Sequence, residues 1–272
     1  MPDGFSRVLG DALRHFEEHG YTSQFEIDHW LRLLQQAAER ELPHDQAIRD
    51  QVRKSLEATF RRYVEGGKIN ELVPGVARYT IDQVKPHLRA ELDRRIVASV
   101  DLIVLNKKAA VEKTLQRFSG FSTAIPAGGG VSGDTIREAK ATIKKPLAQV
   151  RFEARRVAID QGHKLIANVA DVVARGNGAI AGIWHSHWRR PGYNYRPDHK
   201  ERDQRVYLMR GSWAQEQGLV KPGAVGYLDD ITQAGQEPYC SCYVQYLSAL
   251  GKLPDEMLTT KGQKFLAKAR AA

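Results

Sequence analysis

Only two of the 272 residues are cysteine, Cys240 and Cys242. Two thiols cannot form the framework of a disulfide-stabilised secreted domain. One residue apart, they would strain a mutual bridge, so a reducing, cytoplasm-like folding compartment is expected. Long apolar runs are missing as well. The longest, near residues 96–105, is interrupted by Asp101 and is shorter than the roughly 20 residues that cross a bilayer. Met1-Pro2-Asp3-Gly4 offers no basic stretch leading into an apolar one, so no signal peptide is expected. Common catalytic templates are absent too. There is no G-x-G-x-x-G after a strand, and Gly128-Gly129-Gly130 lacks the Gly-Lys-Ser/Thr of a phosphate-binding loop. No G-x-S-x-G nucleophile elbow occurs.

What is present is positive charge. Lys and Arg number 41 against 32 Asp and Glu, a net charge of +9 that suits a polyanionic neighbour, nucleic acid first. A hydrophobic content of 42% and a charged content of 27% fit an ordinary globular chain with a real core.

Residues 1–117 read as helices. Ser23-x-x-Glu26 forms a capping box before Phe25, Ile27, Trp30, Leu31 and Leu34. Ile48, Val52, Leu56, Phe60 and Val64 recur at steps of three and four, one stripe on one helix face, and Gly66-Gly67 ends it. A long helical pattern follows over 88–115. Residues 118–133, with Pro126 and three consecutive glycines, read as a linker or a surface loop. Thr135-x-x-Glu138 opens a second helical block, which Pro146 restarts or kinks and Gly176-Asn177-Gly178 stops. Short apolar runs at 183–184, 206–209 and 239–246, separated by Pro-Gly turns, read as strands. The fold class expected is therefore α+β: a mainly helical N-terminal region, then a small mixed module. In domain terms, 134–254 is a basic helix plus that module, and 255–272 is a Lys-rich tail.

Two groups of residues carry candidate chemistry. Cys240 and Cys242, placed on a strand, would present two thiolates on one surface, and His187 and His199 could complete a tetrahedral zinc site. The alternative is a pair of small buried thiols beside hydrogen-bonded histidines. The second group is basic. Between 137 and 156 seven cations, including Arg151, Arg155 and Arg156, face two carboxylates. Arg189, Arg190 and Arg196 are interleaved with Trp188, Tyr193 and Tyr195, and such mixtures grip phosphates and stack on bases. A solvated helix face or an acidic protein partner would use the same residues.

The segment from about Arg155 to Pro254 resembles the phage Mu F-like head morphogenesis (minor head) proteins of tailed bacteriophages. The resemblance is carried by the basic run Arg155-Arg156-Val157-Ala158-Ile159-Asp160-Gln161-Gly162, the strand with Ile183-Trp184, and Arg196-Pro197-Asp198-His199. Asp203, Val206-Tyr207, Lys221-Pro222-Gly223 and Tyr239-Cys240-Ser241-Cys242 then follow in order, the last where the family shows Asn-Cys-Arg-Cys. It implies a virion structural protein at the portal vertex or capsid interior, assembled in the host cytoplasm. Its partners would be the portal, the major capsid protein and packaged double-stranded DNA, with no membrane and no enzymatic activity. It would assist head assembly, DNA retention or ejection. The rival expectation is a metal-dependent HNH-like DNA nuclease with His199 as base.

Overall fold

A computed structural model describes residues 4–271. The elements are α1 (Gly4–His19), α2 (Gln24–Glu41), α3 (Asp45–Phe60), α4 (Arg78–Ser122), α5 (Gly133–Gly176), β1 (Ala181–His185), α6 (Pro197–Glu201), β2 (Val206–Leu208), α7 (Trp213–Glu216), β3 (Tyr243–Leu247) and α8 (Thr260–Ala271). This is the α+β arrangement expected: a helical N-terminal half, then a small antiparallel sheet. Among the described residues no helix is long and apolar enough to cross a membrane.

The compact units do not divide at the glycine-rich stretch. One unit contains the chain up to Val52 together with Ala98–Val157, and the other contains Arg53–Val97 and the chain from Ala158 onward. Residues 118–133 fall inside the first unit as a loop and not a linker between units, since α4 continues to Ser122 and α5 begins at Gly133. The glycines between them fold onto the end of α1: the amides of Gly128 and Gly130 donate to the carbonyls of His19 and Glu17 at 3.0 and 3.1 Å. They satisfy carbonyls that a helix C-terminus otherwise leaves orphaned. Pro146 does not interrupt α5, and Pro86 likewise lies within α4.

Ser23 is the N-cap residue of α2, but the two expected caps differ in their bonding. The Ser23 side chain makes no cap hydrogen bond, and Thr22 Oγ1 instead donates to Glu26 at 2.6 Å. At α5, Ser132 Oγ accepts the Thr135 amide, so the cap lies three residues ahead of the Thr135 box.

In the first unit the stripe Phe5, Leu9, Leu13 and Phe16 of α1 is buried with Ile27, Leu34, Phe118 and Ile143. In the second, the sheet supplies the core. Its order is β2-β1-β3. Central β1 is antiparallel to both neighbours, with Ala181 opposite Leu208 and Leu247, and His185 opposite Tyr243. Ile180, Ala181, Leu208, Leu219, Leu247, Leu250 and Met257 are buried together. The Gly176-Asn177-Gly178 stop is a Schellman closure: Ala179 N donates to Ala174 O at 2.9 Å and Gly178 N to Arg175 O at 3.1 Å. The chain leaves it straight into β1, where Ile180 N donates to Leu247 O at 2.7 Å.

Candidate metal centre

The register of β1 against β3 determines which side chains share a face. Residues opposite one another in an antiparallel pair point the same way, and neighbours along a strand point oppositely. Trp184, opposite Val244, points into the module and is fully buried. His185, opposite Tyr243, points to the other face, where its ring stacks on Tyr243 at 4.7 Å. Carried one residue beyond the strands, the same register places Ser186 opposite Cys242, on the Trp184 side.

α6 brings His199 to that side. Pro197 opens the helix at a position that needs no amide donor. The His199 ring meets Trp184 edge to face at 5.4 Å and is only 2% exposed. Its Nδ1 lies 3.6 Å from both Cys240 Sγ and Cys242 Sγ. The three ligand atoms all fall within 4.8 Å of one another, and all three residues are buried. This cluster could hold a metal ion.

The two cysteines do not share a strand, contrary to the sequence expectation. β3 begins at Tyr243, and the preceding turn is closed by Cys240 N donating to Glu237 O at 3.1 Å. Tyr239 takes a left-handed φ of 63°, which turns the chain so that both sulfurs reach His199. His163 Nδ1 donates to Cys240 O at 3.1 Å and ties that turn to α5. The Cys242 thiol donates to the Cys240 sulfur, which pulls the Cys240 thiol down to about 5 against the opposing effect of burial. The same contact, with burial, drives Cys242 upward. The thiolate is the form that binds metal, so a bound ion would hold both sulfurs deprotonated.

A carboxylate backs the histidine. Glu237 Oε2 stands 3.2 Å from His199 Nε2 and 2.9 Å from Arg196 Nε, and Arg196 also donates to Pro238 O at 3.0 Å. Glu237 Oε2 and His199 Nε2 are close without meeting hydrogen-bond geometry; a hydrogen bond formed there would fix the tautomer and turn the other nitrogen toward a metal. Glu237→Ala should weaken metal binding by roughly 10–100-fold with the module still folded, as measured by chelator competition. Unchanged affinity would show that Glu237 serves only Arg196.

His187 does not join the cluster. It follows β1 by two residues and lies on the His185 side, where its ring is tilted against Tyr243 at 5.8 Å. Of the four expected metal residues, three converge and His187 is corrected. The six expected basic residues divide between the units: Arg151, Arg155 and Arg156 in the first, Arg189, Arg190 and Arg196 in the second. Arg151, Arg155, Arg189 and Arg190 are exposed. Arg196 is committed to Glu237 and is a structural clamp.

Asp203, singled out in sequence only as part of the family resemblance, organises the basic loop. Trp188 donates its indole N–H to Asp203 Oδ2 at 2.9 Å, and the Ser186 amide donates to Oδ1 at 2.8 Å. Burial disfavours the Asp203 charge, yet these two donors hold its pKa below the ordinary value. Over the pinned indole lie Arg189 at 4.7 Å and Lys200 at 4.6 Å, with Lys200 also 5.8 Å from Tyr195. Glu237 shows no sequence signal, because it acquires its role from a turn; Lys200, visible in the sequence as part of the basic cluster, reaches the indole from α6.

No family model, curated protein or solved structure matches this chain.

Proposed function

We propose that this chain is a minor head protein of a tailed phage, acting by binding at the portal or inner capsid, and that zinc closes its C-terminal module. The carrying observation is that residues giving the family resemblance, far apart in sequence, meet at one place. Trp184, His199, Cys240 and Cys242 form one buried cluster, and Asp203 anchors the loop beside it. Two thiols and an imidazole are the donor set that borderline-soft zinc takes. Ordinary Zn–S and Zn–N distances in a tetrahedron put sulfur and nitrogen about 3.6 Å apart. Both N···S separations here are 3.6 Å.

The nuclease reading has less support. A general base must reach the proton it removes. His199 is 2% exposed, its Nδ1 faces the thiols and its Nε2 faces Glu237. The proposal therefore assigns no covalent chemistry to the chain. Its place would be the virion interior or portal vertex, after assembly in the host cytoplasm.

Elemental mass spectrometry, a DNA-cleavage assay on the same sample and co-purification with a co-expressed portal protein test this reading. About one zinc per chain, no cleavage and portal co-purification are expected. Cleavage abolished by His199→Ala, or absence from assembled heads, would overturn it.

Packaged DNA is the neighbour that the exposed Arg151, Arg155, Arg189 and Arg190 suit, together with Lys200. Arg189→Ala with Lys200→Ala should reduce the slope of log affinity for duplex DNA against log salt by roughly 0.9 per cation removed. The Arg196→Ala slope should stay at the wild-type value, since that guanidinium is engaged by Glu237. Fluorescence titrations at several salt concentrations read both slopes.

A further inference from the structure

We propose that Ser186 supplies the fourth ligand of the metal centre, closing it with two sulfurs, one imidazole nitrogen and one hydroxyl oxygen. This rests on the zinc reading above and goes beyond it. A structural zinc takes four protein ligands, whereas a catalytic one has three and an open position. Among the described residues, the His, Cys, Asp and Glu side chains provide three. The fourth donor decides whether the centre closes the fold or is available to an outside molecule.

The neighbouring candidates are less well placed. Glu237 stands at Nε2 of His199, on the side of the ring away from the sulfurs. Both Asp203 oxygens are engaged, one by the Ser186 amide and one by Trp188. His163 turns its Nδ1 to Cys240 O. His187 is on the opposite face, against Tyr243.

Ser186 is placed differently. It follows β1, and the register that pairs His185 with Tyr243 carries it opposite Cys242. Its Oγ lies 3.7 Å from Cys242 Sγ. Zinc–sulfur and zinc–oxygen bonds of ordinary length, at a tetrahedral angle, put sulfur and oxygen about 3.5 Å apart. The Ser186–Cys242 separation therefore has the length of a tetrahedral edge, as do the two His199–sulfur separations. The Ser186 backbone is pinned by its 2.8 Å bond to Asp203, so the hydroxyl is presented from a fixed strand end. The ligand class is a divalent, borderline-soft cation that accepts this mixed donor set.

The test uses the full chain loaded with cobalt(II), whose visible spectrum reports coordination number and thiolate count. Wild type should give a four-coordinate spectrum with charge transfer from two thiolates, unmoved by added azide. Ser186→Cys should raise the charge-transfer intensity roughly 1.5-fold, as a third sulfur joins two. Ser186→Ala should keep two-thiolate intensity, and its spectrum should now shift with azide. Ser186→Cys at wild-type intensity, or a wild-type spectrum that responds to azide as Ser186→Ala does, would overturn the assignment of Ser186 while leaving the metal centre in place. Failure of wild type to take up cobalt or zinc would overturn the centre itself, and Ser186 with it.

Discussion

Removing the metal from the holoprotein should collapse the tertiary structure around Trp184 and leave most of the helical signal intact. The reason is how little regular structure holds this region. α6 has five residues and β2 has three. His199 and the Cys240–Cys242 turn come from segments about forty residues apart, joined by the three clustered side chains and a few polar contacts such as Arg196 to Glu237 and Pro238. Structural zinc sites contribute apparent binding free energies of roughly 10–16 kcal/mol in small modules. That matches or exceeds the 5–15 kcal/mol typical of a whole domain's stability. Chelation should therefore abolish near-ultraviolet circular dichroism from the buried indole, shift its emission to longer wavelength and lower the melting temperature by tens of degrees. Cys242→Ala should do the same without chelator. His187→Ala should do neither, because His187 lies on the opposite face. Acidification acts in the same direction as chelation, since protons compete with metal for thiolate and imidazole. If Cys242→Ala melts with wild-type cooperativity and midpoint, the cluster is a pair of inert buried thiols.

The parts of the fold that were legible in sequence are those governed by local rules. Helical periodicity placed Ile48, Val52, Leu56 and Phe60 on one buried face. The Gly-Asn-Gly stop became the closure that releases β1. Cys240, Cys242 and His199 were legible as candidate ligands because thiols are scarce and their chemistry is narrow. His187 misled because ligand identity was read without strand parity, and one residue along β1 reverses the face. Ser186 has the right parity but not the residue type that draws attention. Glu237 reaches His199 through a turn that depends on a left-handed Tyr239, a conformation with no marker in the sequence. Of the two readings of residues 118–133, the linker misled for a related reason. Glycine content was read as freedom, whereas the fold uses Gly129 for close approach, a Cβ there falling 2.3 Å from Glu17 O.

The same close approach produces the second large effect, in the first unit. Gly20→Ala should destabilise the protein by roughly 2–5 kcal/mol, the sum of left-handed strain and overpacking. Gly20 has a φ of +69°, and a Cβ there would lie 1.8 Å from Pro126 O, so chain or loop must move. The loop cannot move freely. Tyr21 N donates to Ile125 O at 3.1 Å, and Gly128 and Gly130 cap the carbonyls of His19 and Glu17. Separating the segments would break these bonds just where α1 delivers Phe16 to the core. Two control glycines isolate the causes. Gly128 also has a positive φ, +95°, but a Cβ there meets nothing within 4 Å. Gly128→Ala should cost only the strain, about 1–2 kcal/mol. Gly120 lies within α4, again with nothing within 4 Å. Gly120→Ala should stabilise by up to about 1 kcal/mol through helix propensity. Urea denaturation of the three variants should therefore rank them with a change of sign at Gly120. A Gly20→Ala midpoint no lower than that of Gly128→Ala would mean that the loop does not press on α1. The three glycines would then act as the flexible linker that their composition suggests.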